Sequence, residues 1–173
     1  YTQDCIDWHT VCAQACAPFG DDLYPKLKKS CDDYFYLPHR KEYRGVGGLW
    51  LEYYQESSIL QSFDLVRSIA NHVMPGYCPI LARRSAMPFT PQQKSFQNYR
   101  RSRYAEFNLM LDRGTRYGLQ ASRRTETVLV SMPPQVSWVY NFTPEPGSPE
   151  DRISKDFLQT PCDWLNFQET ASS

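Results

Sequence analysis

The sequence predicts an α+β domain built around an antiparallel sheet. Several capped segments carry apolar residues at helical spacing, other segments alternate apolar and polar residues as strands do, and the order lacks the rhythm of a parallel βαβ array. With 173 residues, of which 41% are hydrophobic, the chain is long enough to bury about 70% of its unfolded surface in one core. We therefore predict a single domain over residues 1–173.

Two helices are predicted at the start of the chain. Residues 2–17 carry apolar side chains at helical spacing, namely Cys5, Trp8, Cys12 and Ala15. A second helix begins at a cap formed by Asp21 or Asp22. It ends before Pro38, because proline cannot donate the backbone hydrogen bond that a helix interior needs.

Two further helices are predicted in the middle of the chain. One covers residues 58–86 and is expected to be interrupted where helix-breaking residues cluster, at Pro75, Gly76 and Pro79. The other begins with Thr90 as its cap and Pro91 at its first helical position, where the missing N–H of proline costs nothing.

Strands are predicted wherever apolar and polar side chains alternate with a period of two residues. The clearest case is YAEFNLMLD, which ends at Asp112. The segments with this pattern are residues 49–53, 104–111, 124–132 and 135–142.

The net charge of the chain argues against nucleic acid and anionic membranes as partners. Nineteen Lys and Arg residues balance nineteen Asp and Glu residues, so the net charge is +0 and no global field attracts nucleic acid or an anionic membrane. No apolar run reaches the roughly 20 residues that a membrane-spanning helix needs. We therefore predict a soluble, cytoplasmic protein, with the mitochondrion as the alternative compartment. The six cysteines are predicted to be reduced, because their spacing is irregular and a domain of this size does not need disulfides.

The segment HRKEYRG, which begins at His39, suggests a site for an anion. Glycines follow it that let a ligand or another backbone come close, at Gly45, Gly47 and Gly48. A histidine among basic residues at the end of a helix is also a common surface feature, so this alternative stays open for His39.

Metal-ligating residue types share one face of the first predicted helix, at Cys5, His9, Cys12 and Cys16. Their positions span roughly 16 Å of helix, whereas zinc holds nitrogen and sulfur ligands at about 2 Å. The spacing therefore excludes a closed zinc site on this helix. At most, His9 joins ligands from elsewhere, and the alternative is a buried, thiol-rich face with one hydrogen-bonded histidine.

Arginine is dense in the second half of the chain, at Arg83, Arg84, Arg100, Arg101, Arg103, Arg113, Arg116, Arg123 and Arg124. The planar guanidinium group suits carboxylate or phosphate, so arginines that converge from several elements would suit a polyanionic ligand. For Arg100, Arg101 and Arg103, which share one predicted helix, the favoured interpretation is a solvated charged face.

Asp112 closes a predicted strand, with Arg113 beside it and two glycines framing the following turn. A carboxylate there is placed to accept hydrogen bonds from a ligand with N–H donors, while loop arginines meet the carboxylates of that ligand. The alternative is an aspartate that caps the turn by hydrogen bonding to its backbone.

Three segments together resemble one family: CDDYFYLPHRKEYRGVGG, YRRSRYAEFNLMLDRGTRYGLQ and RRTETVLVSMPP. They are similar to the oxygen-dependent coproporphyrinogen III oxidases of haem biosynthesis, in register from about Asp4 to Trp164. The resemblance covers only the C-terminal part of that family. It implies a piece of a larger oxidase domain, and we expect these residues alone to be inactive because the family's proposed proton donor lies in the other half.

The resemblance implies an enzyme that oxidatively decarboxylates two propionates of coproporphyrinogen III to vinyl groups, giving protoporphyrinogen IX. Dioxygen is the implied oxidant, and no further cofactor is required. Asp112 matches the family's catalytic and substrate-binding aspartate, which accepts pyrrole N–H bonds, and Arg113 follows it. The substrate loop matches Ser122, Arg123 and Arg124, where relatives carry Gly-Gly-Arg and therefore have more backbone freedom.

The resemblance also carries expectations about metal, fold and assembly. His9 and His39 match two positions assigned as ligands of a divalent metal in bacterial relatives, with the third assigned ligand in the family's other half. The family fold is a broad antiparallel sheet flanked by helices on both faces. It forms a homodimer through a region that matches about Tyr104 to Val139.

Two alternative functions stay open. The segment KSFQNYRRSRYAEF interleaves aromatic with basic side chains, as single-stranded RNA-binding modules do. Zero net charge argues against this module. The second alternative is a catalytically dead fragment of the oxidase. We predict a tetrapyrrole as the partner, with neither nucleic acid nor a transmembrane segment.

Overall fold

The computed structural model describes residues 1–55 and 58–168, which form two compact units. Unit 1 contains Tyr1–Tyr34, Val46–Met87 and the segment that begins at Pro161, and unit 2 contains Phe35–Gly45 and Pro88–Thr160. The prediction of a single domain over the whole chain stays a prediction. None of the helices in the described residues combines the length and apolar composition that a membrane crossing requires.

Unit 1 is built from three helices: α1 (Thr2–Cys16), α2 (Leu23–Tyr34) and α3 (Ile59–Ser85). The first two confirm the helices predicted from the sequence, and a short 3₁₀ turn, Ala17–Phe19, follows α1. Their apolar faces meet in one buried cluster, which consists of Cys12, Cys16, Leu23, Tyr24, Leu27 and Leu65.

Helix α3 runs without a break through Pro75 and Pro79, so the predicted interruption is wrong. A proline displaces the hydrogen bond to the carbonyl four residues earlier. The affected positions, Asn71 and Pro75, are exposed, and their carbonyls can turn to water. On the opposite side Gly76 is buried against α1, where a Cβ would lie 2.8 Å from the Val11 side chain.

Unit 2 begins with a short hairpin in which β1 (Tyr36–Leu37) pairs antiparallel with β2 (Glu42–Tyr43). Its helices are α4 (Pro91–Met110), α5 (Arg113–Gln120), α6 (Thr125–Val128) and α7 (Pro149–Arg152), the last leading into a π-helical turn at Ile153–Phe157. Thr90 and Gln93 form a reciprocal capping box on either side of Pro91, which confirms the predicted start of α4.

The described residues are mostly helical and contain a small antiparallel sheet. The predicted α+β class is confirmed only to that extent. The hairpin is their only sheet. A broad sheet with helices on both faces is therefore not observed in this part of the chain. The segments predicted as strands are residues 49–53, 104–111, 124–132 and 135–142, and none of them forms one.

The error at residues 104–111 has a clear physical origin. This segment is the last part of α4, whose buried side carries Ser102, Arg103 and Glu106 next to apolar Ala105 and Phe107. Because three of these five buried residues are polar, the apolar residues alone do not repeat with a helical period. The strand pattern arises from that mixture.

Candidate functional site

A buried carboxylate, Glu106 on α4, binds charged side chains of the hairpin in unit 2. Arg40 donates from Nε and Nη2 to its two carboxylate oxygens, at 2.9 and 3.0 Å. His39 Nε2 also meets Oε1, and Trp138 Nε1 lies 3.3 Å from Oε2. Burial raises the pKa of Glu106, but Arg40 and His39 outweigh it and bring the pKa down to about 2.

A second carboxylate, Glu42 on β2, binds the arginines of α4. Arg100 Nη1 lies 3.0 Å from Oε2, and Arg103 Nε lies 2.6 Å from Oε1. Arg103 is only 3% exposed, and it also contacts the Tyr99 hydroxyl. The expected solvated face is therefore wrong for Arg100 and Arg103, which bind the hairpin to α4.

The segment HRKEYRG, which suggested an anion site, is largely occupied by unit 2 itself. His39 and Arg40 meet Glu106, and Glu42 meets the two arginines of α4. The Arg44 guanidinium lies 4.0 Å from the ring centroid of Phe35, with two further aromatic rings within about 5 Å. In the structure, the anion that His39 and Arg40 bind is therefore a carboxylate of unit 2 itself.

Asp112 lies at the junction of α4 and α5 rather than at the end of a strand. It is the N-cap of α5, and its Oδ2 accepts the backbone N–H of Thr115 at 2.6 Å. Its own N–H donates to the carbonyl of Phe107 at 2.9 Å. The structure thus shows the cap, and the N-terminus of α5 favours a negative charge at this point.

The predicted substrate loop, Ser122, Arg123 and Arg124, follows the other end of α5. An eight-residue helix is about 12 Å long, so the loop and Asp112 flank α5 at its two ends. All three loop residues are exposed. Ser122 has φ +53, in the left-handed region that glycine adopts without strain. A positive φ at this position explains why glycine suits it in the Gly-Gly-Arg pattern that the loop resembles.

Arginine side chains remain exposed around this helix. Arg113, Arg116, Arg123 and Arg124 lie within twelve residues and are all exposed. Arg124 lies 3.5 Å from Glu126, and both side chains are about 80% accessible. Unlike Arg100 and Arg103, these four are accessible from solvent, so they can meet an anionic ligand.

His9 is fully buried in unit 1 and uses both ring nitrogens. Nε2 lies 3.1 Å from the carbonyl of Val46, so it carries the proton, and Nδ1 accepts from the Tyr24 hydroxyl at 3.0 Å. The ring stacks on Trp164 with centroids 5.8 Å apart. Burial lowers the pKa of His9 from its ordinary 6.5 to about 4, so the ring is neutral at pH 7.

The two histidines differ in how well they suit a metal. A metal takes the lone pair of a ring nitrogen, and in His9 hydrogen bonds with Tyr24 and Val46 employ both nitrogens. His39, with its carboxylate partner, resembles the histidines that ligate metals. Residues 1–55 and 58–168 contain no group of three His, Cys, Asp or Glu placed to hold an ion. His9 as observed therefore does not fit a metal site.

Sequence reasoning missed the Glu106 network. Glu106 lies in a segment predicted as a strand, and its partners His39 and Trp138 are 67 and 32 residues away in the chain. The signal that could have found it is the density of opposite charges in HRKE and YRRSRYAE, which suits mutual pairing as well as a ligand.

A comparison with known families identifies the chain. The family model described as Coproporphyrinogen III oxidase matches residues 1–164. The chain belongs to the coproporphyrinogen III oxidase family. The resemblance drawn from the three quoted segments is thereby confirmed. The family supports an oxidoreductase of haem and porphyrin biosynthesis, and a tetrapyrrole substrate fits it.

Proposed function

We propose that the protein acts in the oxygen-dependent oxidation of coproporphyrinogen III. In this reaction two propionate side chains lose carbon dioxide and become vinyl groups, while dioxygen accepts the electrons. The family match over residues 1–164 carries the proposal. The exposed arginines around α5 support it, because a substrate with four carboxylates needs several cations that are accessible from solvent.

Asp112 is proposed to anchor the pyrrole N–H groups of the substrate. It is half-buried at the N-terminus of α5, where a carboxylate is favoured, and Arg113 follows it directly. Arg113, Ser122, Arg123 and Arg124 are proposed to meet the propionates. In this role the protein orients the substrate and stabilises developing positive charge on the ring, and the macrocycle supplies the reactivity.

The test replaces Asp112 with asparagine. Asparagine caps helices as well as aspartate does, so Asp112→Asn keeps the bond to Thr115 while it removes the charge. We expect a melting temperature within a few degrees of wild type and a fall in kcat/KM of at least about tenfold. The measurement is vinyl product formation by the full enzyme, with Asp156→Asn as a control that removes an exposed carboxylate of the same unit.

The outcome separates an anchor from a cap. An Asp112→Asn enzyme with normal kcat/KM would refute the proposed role and leave Asp112 as the cap of α5 only. A further variant, Asp112→Ala, removes the cap as well and should cost about 1 kcal/mol of stability. Comparison of the two variants assigns the stability effect to the cap and the kinetic effect to the charge.

We also propose that the protein is a homodimer through the region Tyr104 to Val139. Large apolar side chains are exposed there, at 42% to 79% of their full area, and they are Leu109, Met110, Tyr117, Leu119, Val130, Trp138 and Val139. Exposed apolar side chains in this number are typical of surfaces that another protein covers. The competing RNA-binding function is not favoured, because Arg100 and Arg103 of its supposed motif are held by Glu42.

A further inference from the structure

Tyr24 and His9 form a buried, hydrogen-bonded pair in unit 1 that the proposed reaction does not use. Tyr24 lies on α2 and is 8% exposed, and His9 lies on α1 and is fully buried. The Tyr24 hydroxyl donates to His9 Nδ1 at 3.0 Å. This nitrogen carries a lone pair, because the proton of the ring is on Nε2, which donates to the carbonyl of Val46 at 3.1 Å. The phenol therefore faces a base that can accept its proton.

The histidine partner distinguishes Tyr24 from another hydrogen-bonded tyrosine of the chain. The other two histidines, His39 and His72, meet a carboxylate and a backbone carbonyl. The hydroxyl of Tyr99 meets Arg103, whose guanidinium group has no lone pair to accept a proton. Tyr24 thus has the partner that Tyr99 lacks, a neutral imidazole with a free lone pair.

The loss of one electron makes a phenol strongly acidic. A neutral tyrosine keeps its proton up to a pKa of about 10, whereas an oxidised phenol releases the proton readily. In a buried site the proton needs an acceptor within hydrogen-bond distance, because an uncompensated buried charge is costly. His9 Nδ1 is such an acceptor, so Tyr24 is easier to oxidise than a tyrosine without a base.

The surroundings of His9 stabilise the imidazolium that this transfer produces. The bond from Nε2 to Val46 becomes charge-assisted, and such bonds are roughly twice as strong as neutral ones. The ring also stacks on Trp164 with centroids 5.8 Å apart, a distance at which the face of an indole attracts a cation. The charge of Lys28 acts in the opposite direction, but Lys28 pairs with Asp32 at 2.5 Å.

A cavity gives an oxidant access to the tyrosine. Tyr24 lines a cavity of about 690 Å³, which is bounded by side chains of α2 and of the segment that begins at Pro161. His9 itself is fully buried. An oxidant in this cavity therefore removes the electron from the phenol ring, while the proton moves inside the protein.

We propose that Tyr24 is a redox-active tyrosine, which gives one electron to a strong one-electron oxidant such as an oxygen-centred radical while its phenolic proton passes to Nδ1 of His9. The oxygen-centred radical becomes its anion, Tyr24 becomes a neutral phenoxyl radical and His9 becomes an imidazolium, so electrons, protons and charge balance. The pair intercepts oxidants at the surface of unit 1. This role is separate from the proposed oxidation of coproporphyrinogen and involves neither Asp112 nor the arginines around α5.

The first test oxidises the full protein with photogenerated tris(bipyridine)ruthenium(III) and follows tyrosyl radicals by EPR and transient absorption. We expect a persistent tyrosyl radical in the wild type and its loss in Tyr24→Phe, which keeps the ring and removes only the hydroxyl. The matched control is Tyr99→Phe, which removes a hydroxyl that meets Arg103 instead of a histidine and should keep the signal. Circular dichroism verifies that both variants are folded.

The second test examines the base. In His9→Asn the side chain can accept a hydrogen bond from Tyr24 but not its proton. We expect oxidation of Tyr24 to slow at least about a hundredfold, the lower end of what a positioned base contributes. Electron–nuclear double resonance of the wild-type radical, before and after exchange into heavy water, needs no change at His9. It should detect an exchangeable proton hydrogen-bonded to the phenoxyl oxygen.

Four results would overturn the proposal. They are a wild type without a persistent tyrosyl radical, a signal that survives in Tyr24→Phe, a radical without the exchangeable proton, and a His9→Asn protein in which Tyr24 is oxidised at the wild-type rate. The last two would leave the pair as a structural hydrogen bond of the core.

Discussion

The interiors of the two units are built from different chemistry. Unit 1 buries thiols, aliphatic residues and a neutral histidine around α1 and α2, and its only buried ion pair among the described residues is Lys28 with Asp32. Unit 2 buries Arg103 and Glu106 on one helix and connects them to the hairpin through several ion pairs.

The two buried carboxylates show what this difference means. Burial raises the pKa of Asp32 despite its pairing with Lys28, so a single lysine does not offset the loss of hydration. In Glu106 burial acts in the same direction, yet Arg40, His39 and Trp138 lower the pKa to about 2. A buried charge becomes favourable only when several donors surround it.

The largest expected effect is on the network of unit 2. Glu106→Gln removes the charge that Arg40 and His39 share, and we expect a loss of about 3 kcal/mol in the free energy of unfolding, as for other broken buried pairs. Urea denaturation measures it. The control is Asp33→Asn, which breaks an exposed pair with Lys29 in unit 1. It should cost less than about 0.5 kcal/mol, and equal losses would contradict the contrast between the two kinds of pair.

The next effect concerns unit 1 and pH. Unfolded His9 binds a proton at its ordinary pKa of 6.5, whereas the folded protein binds it only near 4. The unfolded state therefore gains protons first as pH falls, and wild type should lose about 2 kcal/mol of stability between pH 7 and pH 4.5. Glu106 contributes its loss below pH 4.5, because its folded pKa of about 2 lies beneath the ordinary 4.5.

The measurement is the free energy of unfolding at a series of pH values. His9→Asn keeps one donor and one acceptor for Val46 and Tyr24 but does not titrate. The variant will be less stable throughout, yet its stability should be nearly constant from pH 7 to pH 4.5. A slope as steep as that of wild type would show that another group causes the pH dependence.

The smallest effect compares glycines in the two units. In Gly76→Ala the new Cβ would lie 2.8 Å from Val11 between two long helices, and we expect a loss of about 1–2 kcal/mol. In Gly118→Ala the Cβ would lie 2.9 Å from Val128. That valine is on α6, which has four residues and can shift, so a change below about 1 kcal/mol is expected.

A third glycine provides the control for this pair. A Cβ added at Gly45 would meet no heavy atom within 4 Å, so Gly45→Ala should change stability by less than about 0.5 kcal/mol. Thermal denaturation of the three variants orders them. If Gly118→Ala were more damaging than Gly76→Ala, the rigid contact would be in unit 2 rather than between α1 and α3.

Local signals predicted where helices start. Ser58 and Thr90 accept hydrogen bonds from Gln61 and Gln93, three residues later, so the cap and its partner are visible in a few letters of sequence. The continuity of α3 and the full length of α4 were not predicted. Both depend on packing. Helix α1 packs against α3 close to its prolines, and the hairpin neutralises the buried charges of α4.

The sequence by itself determined the family and the capped start of α4, because each of these depends on a contiguous stretch of residues. Only the tertiary structure decided which arginines form buried ion pairs within the protein and which are exposed to solvent. Arg100 and Arg103 meet a carboxylate about sixty residues earlier in the chain, whereas Arg123 and Arg124 remain in solvent. Ion pairing depends on which distant groups share a buried space, and no local pattern records that.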